Sequence, residues 1–209
     1  MTTTYLPTGT VYGTLLNFRA ELKALTPQMT QPPYKAPPVA PVLYVKTANT
    51  WSPHGSEIAV PANVPEVEVG ASVGMVIGEG GAVVGYVLMN DLSVPHASFF
   101  RPPVKFKCID GFLGIGESVR DTKDVPDAAA LRVEVRINGE LKQSVDFSQL
   151  QRPAARLLAD VTEFMTLAPG DVLMLGCDLG RPLARASDRI DIAAAGFATL
   201  SNTLVKEAA

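Results

Sequence analysis

Pro65–Gly78, PEVEVGASVGMVIG, sets the fold class, because two closely spaced carboxylates lead into a continuous apolar segment typical of a buried β-strand. Val73–Ile77 is the apolar part. Glu66 and Glu68 are one residue apart, so a strand would point both carboxylates to the same face of a sheet. Two acidic side chains on one face suggest a metal site, which would need further ligands from elsewhere in the chain.

Short β-type segments separated by proline and glycine continue along the whole chain. Asn138-Gly139 joins two of them and is a strong β-hairpin signal. This pattern predicts a mainly β protein with few helices, of the α+β class. Besides Val73–Ile77, the predicted strands are Val11–Leu16, Val42–Val45, Val83–Met89, Leu131–Ile137, Asp171–Leu175, Ile190–Ala193 and Thr203–Val205.

Only Ser148–Leu167 has the apolar spacing of a helix, and Pro153 is placed where such a helix could begin. This helix should lie on the core and end at the APGD that follows. The segment Thr26–Pro41 is too rich in proline for a helix or a strand, so we expect an extended surface or partner-facing segment. The apolar residues of the predicted helix are Leu157, Leu158, Val161, Phe164 and Met165.

Composition narrows the class of protein. The 209 residues are 47% hydrophobic with a formal net charge of -3, which predicts a single domain over residues 1–209. Lysines and arginines are scattered along the chain, which argues against nucleic-acid binding.

No leader and no apolar run of about 20 residues is present, so we expect a cytoplasmic protein that does not span a membrane. Cys108 and Cys177 are far apart, which favours two ordinary thiols.

The sequence contains only weak matches to the motifs of nucleophilic catalysis and of phosphate binding. His54 and His96 lie among proline, serine and glycine, where a hydrogen bond to backbone is expected rather than metal binding. No GxSxG motif surrounds the candidate nucleophiles Ser52, Ser93 and Ser98, which argues against a hydrolase triad. No helix follows the glycines of residues 78–81, so a tight connection between strands is expected there.

Four ordered segments resemble the fumarylacetoacetate hydrolase family and together span nearly the whole chain. They are GTVYGTLLNFRAEL; PPYKAPP with LYVKTANTWSPHGSEIAVP; VVGYVLMNDLSVP with FKCIDGFLGIGE; and FMTLAPGDVLMLG. Within the family, the likeness is greatest to the N-terminal halves or subunits of the bifunctional isomerase/decarboxylases of 4-hydroxyphenylacetate (homoprotocatechuate) degradation.

This resemblance implies a β-roll of mixed sheets, a divalent metal (usually magnesium) and a dicarboxylate or tricarboxylate substrate. The implied activities are 2-hydroxyhepta-2,4-diene-1,7-dioate isomerase and 5-oxopent-3-ene-1,2,5-tricarboxylate decarboxylase. Both reactions pass through an enol or enolate beside a carboxylate, which a Lewis-acidic metal and a lysine stabilise.

Three family site residues have counterparts in the chain. Asp91 in Asn-Asp-Leu-Ser matches a metal ligand, although an Asn-Asp pair also caps turns. Lys107 matches the lysine of the family's Lys-x-x-Asp-x-Phe pattern, and Lys46 matches a second family lysine. A solvated lysine is the alternative reading of Lys107. The resemblance therefore implies catalytic roles for Lys107 and Lys46 and a metal-ligand position at Asp91.

Other family residues are replaced. The family's Glu-x-Glu metal ligands fall on Gly70 and Ser72, and its His-x-x-Glu dyad falls on Glu21 and Ala24. A further substrate-contacting turn is altered at residues 176–180. Glu66 and Glu68 precede the ligand positions by four residues, or roughly 13 Å of strand, too far for either to replace a ligand. We interpret this pair as a solvated strand start or a subunit contact.

Two hypotheses follow. In the first, the chain is an isomerase/decarboxylase subunit with a degenerate metal site, working with a metal-bearing homologous C-terminal-half subunit or as a homo-oligomer. In the second, it is a non-catalytic structural half whose role is assembly, including the segment Thr26–Pro41.

Overall fold

A computed structural model describes residues 4–96 and 103–208, which form fourteen strands and three α-helices. Helices α1–α3 are Arg19–Met29, Val104–Lys107 and Ala154–Thr162. Strands β1–β14 are Val11–Leu15, Val42–Lys46, Trp51–Pro53, Glu57–Val60, Val67–Ile77, Val83–Ser93, Leu113–Ile115, Arg120–Asp121, Arg132–Ile137, Glu140–Asp146, Val172–Met174, Leu183–Ala184, Arg189–Ala194 and Leu200–Lys206.

The described strands form two mixed sheets. A nine-stranded sheet has the order β2-β1-β11-β5-β6-β7-β3, with β12 paired to β5 and β8 to β6; a five-stranded sheet has the order β10-β9-β13-β14-β4. Most neighbours are antiparallel, while β1–β11, β3–β7 and β14–β4 are parallel. The prediction of a mainly β fold with few helices and mixed sheets is confirmed.

Each of the eight predicted strands overlaps an observed strand, and five lie entirely within one. The remaining three extend past the observed bounds, at Leu16, Leu131, Asp171 and Leu175. Several observed strands are longer than predicted. Val73–Ile77 is the second half of β5, which begins at Val67. Asn138 and Gly139 both have positive φ, 52° and 82°, as a two-residue hairpin between β9 and β10 requires. The glycines of residues 78–81 form the predicted tight connection, here between β5 and β6.

The long antiparallel pair β5–β6 separates two apolar cores, because alternate residues of a strand face opposite sides of the sheet. Val69, Ala71, Val73 and other odd-numbered residues of β5 pack in the larger core, with the five-stranded sheet and α3. Val76, an even-numbered residue, packs in a smaller core beneath α1. The pairing of Gly70 with Asp91 places both on the side of the smaller core.

The predicted helix is confirmed in part. It begins immediately after Pro153 but ends at Thr162, five residues before the predicted end. Leu157 and Val161 are buried in the larger core, as expected. Phe164 lies beyond the helix and is 57% exposed, so its expected place on the apolar face is wrong.

The segment Thr26–Pro41 is not extended throughout, because α1 continues to Met29 and includes Thr26–Met29. Met29 is buried in the smaller core, and Leu22 and Leu25 pack against that core. Burial of this apolar face offsets the helical hydrogen bond that Pro27 cannot donate. The sequence-based prediction gave the prolines too much weight and therefore did not include this helix. Among the described residues, no helix has the length and apolar character needed to cross a bilayer.

Asn17 connects the strand before α1 to two distant segments. Its side-chain amide donates to the carbonyls of Leu175 (2.8 Å) and Arg152 (3.1 Å), and its oxygen accepts from the Arg152 N–H (3.0 Å). The residue is 1% exposed. Asn17 therefore fixes the start of α1 relative to the end of β11 and the entry to α3.

We expect Asn17→Ala to lower the free energy of unfolding by about 2–4 kcal/mol, because it leaves buried backbone groups without partners. Chemical denaturation with circular dichroism measures the change. Gln151→Ala is the control, since the Gln151 side chain is exposed and only its backbone contacts Asn17. Equal stability of the two variants would contradict the role of the Asn17 side chain.

Candidate functional site

Asp91 lies near the end of β6 and contacts two lysines that the sequence had separated widely. Lys46 Nζ lies 2.9 Å from Oδ1, and Lys107 Nζ lies 2.7 Å from Oδ2. The Tyr44 hydroxyl also donates to Oδ2. The Asp91 carboxylate is completely buried, so the fold neutralises it with protein groups instead of water.

Lys46 is the last residue of β2, and every N–H group of its ammonium has a hydrogen-bond acceptor. Besides contacting Asp91, its ammonium donates to the carbonyls of Leu92 (3.2 Å), Lys107 (2.5 Å) and Phe112 (2.7 Å). An ammonium has only three N–H groups, so none is left for a ligand. Lys46 consequently ties β2, β6 and α2 together, a positioning role.

Lys107, at the end of α2, has donors to spare. Within the described part of the chain, its ammonium donates one hydrogen bond, to Asp91, and lies 4.9 Å from the centre of the Tyr44 ring. Lys107 and Tyr44 line a cavity of about 260 Å³, together with the apolar side chains of Leu43 and Val104. Of the two predicted catalytic lysines, Lys107 is the one positioned to contact a ligand.

The cations and hydrogen bonds around Asp91 keep its carboxylate ionised. Burial alone would raise the pKa of Asp91, but the ammonium groups of Lys107 and Lys46 and the hydrogen bonds from Lys107 and Tyr44 hold it well below its usual range. Burial lowers the pKa of Lys46, an effect that the Asp91 charge opposes. Asp91 is therefore an ionised carboxylate shared between two cations.

The residues around Asp91 do not fit a magnesium site. A Cβ on Gly70 would lie 2.6 Å from the Asp91 carbonyl oxygen and 2.8 Å from Cys177 Sγ, so no larger side chain fits at this position without a shift of its neighbours. The Ser72 hydroxyl, at the second ligand position, donates to the Gly176 carbonyl at 2.8 Å. Mg²⁺ needs several free oxygen ligands, and within residues 4–96 and 103–208 no three metal-binding side chains cluster.

Cys177 takes part of the space that Gly70 leaves. Its thiol lies 3.8 Å from Asp91 Oδ2 and is buried. Burial and the nearby Asp91 carboxylate raise the pKa of the thiol to about 12. Cys177 is consequently a neutral packing residue and not a nucleophile.

A second charged cluster, the Arg181 cluster, adjoins the first and consists of Arg181, Glu21 and Glu68. Arg181 Nη1 donates to Glu68 Oε2 at 3.1 Å, and Nη2 donates to Glu21 Oε1. The other Glu21 oxygen accepts from the Leu16 N–H at 2.8 Å. The cluster lines a cavity of about 330 Å³.

Glu21, at the position that the family resemblance gives to a dyad histidine, is deeply buried. Its side chain is 3% exposed. Burial raises the pKa of Glu21 above its ordinary value, while the charge of Arg181 and the Leu16 N–H partly oppose the shift. Glu21 thus depends on Arg181 for its neutralisation.

Glu68 and Glu66 pair with different arginines. Glu68 contacts Arg181 and is 23% exposed, so it is a partly buried member of an intramolecular ion pair, and the subunit contact stays a prediction. Glu66 Oε2 lies 3.3 Å from the guanidinium of Arg185, which is 73% exposed. The carboxylates that suggested a metal site are thus occupied by arginines.

The candidate nucleophiles do not form a triad among the described residues. Ser52 donates to the Gly111 carbonyl, and Ser93 Oγ lies 3.4 Å from His96 Nδ1, which also contacts the Val94 carbonyl at 2.9 Å. His54 accepts from the backbone N–H of Ser201, the type of contact expected. Ser98 lies outside the described residues.

Two residues of the site, Tyr44 and Arg181, are not singled out by any pattern recognised in the sequence. Tyr44 is two residues before Lys46, and the period of two along a strand places both on one face. Arg181 follows the altered turn at residues 176–180, but no local pattern indicates that it meets Glu21 and Glu68 from distant segments.

We expect Asp91→Asn to lower the free energy of unfolding by about 3–5 kcal/mol, because it leaves two buried ammonium groups without their counter-charge. Urea denaturation measures the loss. Asp124→Asn is the control, since Asp124 is 47% exposed and lies 3.9 Å from Arg120. An Asp91→Asn protein as stable as this control would show that the cluster does not need the carboxylate charge.

Comparison with known proteins agrees with this architecture. The chain is 37% identical to the 4-hydroxyphenylacetate degradation bifunctional isomerase/decarboxylase of Salmonella dublin over 209 aligned residues, 95% of this chain and 48% of that protein. It therefore spans about half the length of the curated relatives it matches first.

Solved structures share the fold. The 2-hydroxyhepta-2,4-diene-1,7-dioate isomerase of Mycobacterium marinum matches with a TM-score of 0.78 at 22% identity, covering 99% of this chain and 78% of that one. The fumarylpyruvate hydrolase of Pseudomonas aeruginosa, in complex with Mn²⁺ and pyruvate, matches with 0.79 at 23%, covering 95% and 90%. The model of the fumarylacetoacetate (FAA) hydrolase C-terminal family matches residues 10–205. The chain belongs to the fumarylacetoacetate hydrolase family.

Proposed function

We propose that this chain is one subunit, or one half, of a 2-hydroxyhepta-2,4-diene-1,7-dioate isomerase/5-oxopent-3-ene-1,2,5-tricarboxylate decarboxylase of 4-hydroxyphenylacetate catabolism. The supporting observation is the 37% identity over nearly the whole chain to one half of the Salmonella dublin bifunctional enzyme. Such a catabolic enzyme is expected in the cytoplasm. Its substrates are small dicarboxylates or tricarboxylates.

The partner is a homologous subunit that keeps the family's metal ligands. This chain has Gly70 and Ser72 at two ligand positions and Asp91 enclosed by lysines, so the divalent metal, magnesium by resemblance, belongs to the partner. A homo-oligomer of this chain would lack those ligands in every copy. The functional unit therefore combines this chain with a metal-bearing homologous half, either as a separate subunit or within one longer chain.

Lys107 carries the chain's own contribution to the chemistry. Negative charge develops on oxygen in the enolate next to the substrate carboxylate, and a buried ammonium stabilises it strongly in a site of low polarity. Lys107 lines an open cavity, whereas Lys46 is saturated. Lys46 positions α2, and Lys107 faces the ligand.

We expect the purified chain to turn over both substrates negligibly with or without Mg²⁺, and to gain activity when the homologous metal-bearing half is added. Loss of the diene absorbance follows the isomerase, and carbon dioxide release follows the decarboxylase. The metal-bearing half alone is the control. Robust Mg²⁺-dependent turnover by this chain alone would contradict the division of labour.

A second candidate function is a non-catalytic structural half, which the complete burial of Asp91 favours. Lys107→Met separates the two candidates. If Lys107 stabilises the enolate, kcat of the reconstituted complex falls about 10²-fold, a typical effect of removing one electrostatic donor. Lys105→Met is the control, because Lys105 lies on the same short helix and is exposed.

Assembly is checked by size-exclusion chromatography before each assay. Unchanged kcat in a correctly assembled Lys107→Met complex would favour the structural half. A loss of the same size in Lys105→Met would point to disturbance of α2 instead of the loss of one charge.

A further inference from the structure

We propose that the cavity lined by the Arg181 cluster is a metal-independent binding site for the carboxylate end of a 2-oxo dicarboxylate, with Arg181 as the binding residue. The proposal goes beyond the proposed function and rests on it only for the class of ligand, since this cavity is separate from the one that Lys107 lines. It concerns a residue outside the family positions already considered, since Arg181 follows the altered turn at residues 176–180.

Arg181 has unused hydrogen-bonding capacity. Its side chain is 10% exposed and lines the cavity of about 330 Å³. A guanidinium carries five N–H donors, of which Glu21 and Glu68 each take one in the described contacts. Arg181 Nε is buried and has no acceptor among the described residues. The planar guanidinium matches the geometry of a carboxylate, so a further anion is a suitable ligand.

The two carboxylates that hold Arg181 differ in how easily they can leave. Glu21 is 3% exposed and is fixed by the Leu16 N–H as well, so it stays in place. Glu68 is 23% exposed, and Arg181 is its one ion-pair partner in the described part of the chain. Rotation of the Glu68 side chain toward solvent would free Arg181 Nη1 to donate a hydrogen bond to the carboxylate of a ligand. Glu68 and the carboxylate of a ligand would therefore compete for the same N–H group of Arg181.

The charge balance permits this exchange without a metal. Asp91, Glu21 and Glu68 supply three negative charges, and Lys46, Lys107 and Arg181 supply three positive ones. When Glu68 turns into water, one buried positive charge is uncompensated, and the carboxylate of a ligand restores neutrality. The cations of the chain therefore supply the charge that a divalent ion supplies at a metal-bearing site.

The rest of the cavity suits a small dicarboxylate. Leu25 and Leu179 provide an apolar wall, and the exposed side chain of Gln28 lies at the same cavity. Small-molecule sites combine apolar walls with polar groups that orient the ligand, and here Arg181, Gln28 and His96 are such groups beside the two glutamates. One carboxylate would bind Arg181, while the carbon chain lies against the leucines.

Isothermal titration of 2-oxoglutarate into the full chain, in buffer with EDTA, tests the site. We expect saturable binding that added Mg²⁺ does not change, and no binding of the neutral dimethyl ester. Arg181→Gln should weaken binding by about tenfold or more. Glu68→Gln should tighten it by about threefold or more, because the competing carboxylate is removed.

Glu66→Gln is the matched control, since Glu66 lies two residues away and pairs with Arg185 instead; its affinity should equal that of the unmodified chain. Circular dichroism checks folding, because Arg181→Gln leaves the buried Glu21 without its cation. If that variant unfolds, Glu68→Gln still decides, since general damage weakens binding and only release of competition strengthens it.

Absence of binding, binding that requires Mg²⁺, or a Glu68→Gln protein with unchanged or weaker affinity would overturn the site. These outcomes are independent of the reconstitution assay. A reconstituted complex that is active while the chain shows no binding would reject the Arg181 site and leave the proposed function standing. Binding as expected with an inactive complex would reject the proposed function and assign the site to another 2-oxo dicarboxylate.

Discussion

Complete burial of the Asp91 carboxylate is the constraint on which the surrounding structure depends. A charge removed from water is tolerated only when the protein supplies counter-charges and hydrogen-bond donors at contact distance. Lys46 and Lys107 do so from β2 and α2, and Tyr44 adds a hydroxyl from β2. Because Lys46 also binds three backbone carbonyls, neutralising one carboxylate fixes a strand, a helix and a loop together.

The site of this chain is charged but has few free oxygen ligands. Gly70 and Ser72, where the family resemblance places two glutamates, supply no carboxylate oxygen, and the Ser72 hydroxyl is engaged by the Gly176 carbonyl. The three cations Lys46, Lys107 and Arg181 instead neutralise the buried carboxylates. A charged centre built from ion pairs is thus stable without a bound cation.

The sequence predicted the strands well, because alternation and the Asn138-Gly139 hairpin are local signals. It also brought Lys46, Asp91 and Lys107 to one site through the family resemblance. Helix α1 was missed because the penalty of Pro27 is local, whereas the burial of Met29 that offsets it is tertiary. Arg181 was missed for the same reason, since its partners are Glu21 and Glu68, more than one hundred residues away.

The close approach of Gly70 to its neighbours limits which side chains residue 70 can carry. A Cβ at residue 70 would lie 2.8 Å from the Cys177 sulfur and 2.6 Å from the Asp91 carbonyl oxygen, so a glutamate introduced there alone would collide with both. A smaller side chain at residue 177 would remove only the first of these contacts, because the second involves the backbone of β6. Engineering a carboxylate ligand at residue 70 therefore requires a change at residue 177 together with a local shift between β5 and β6.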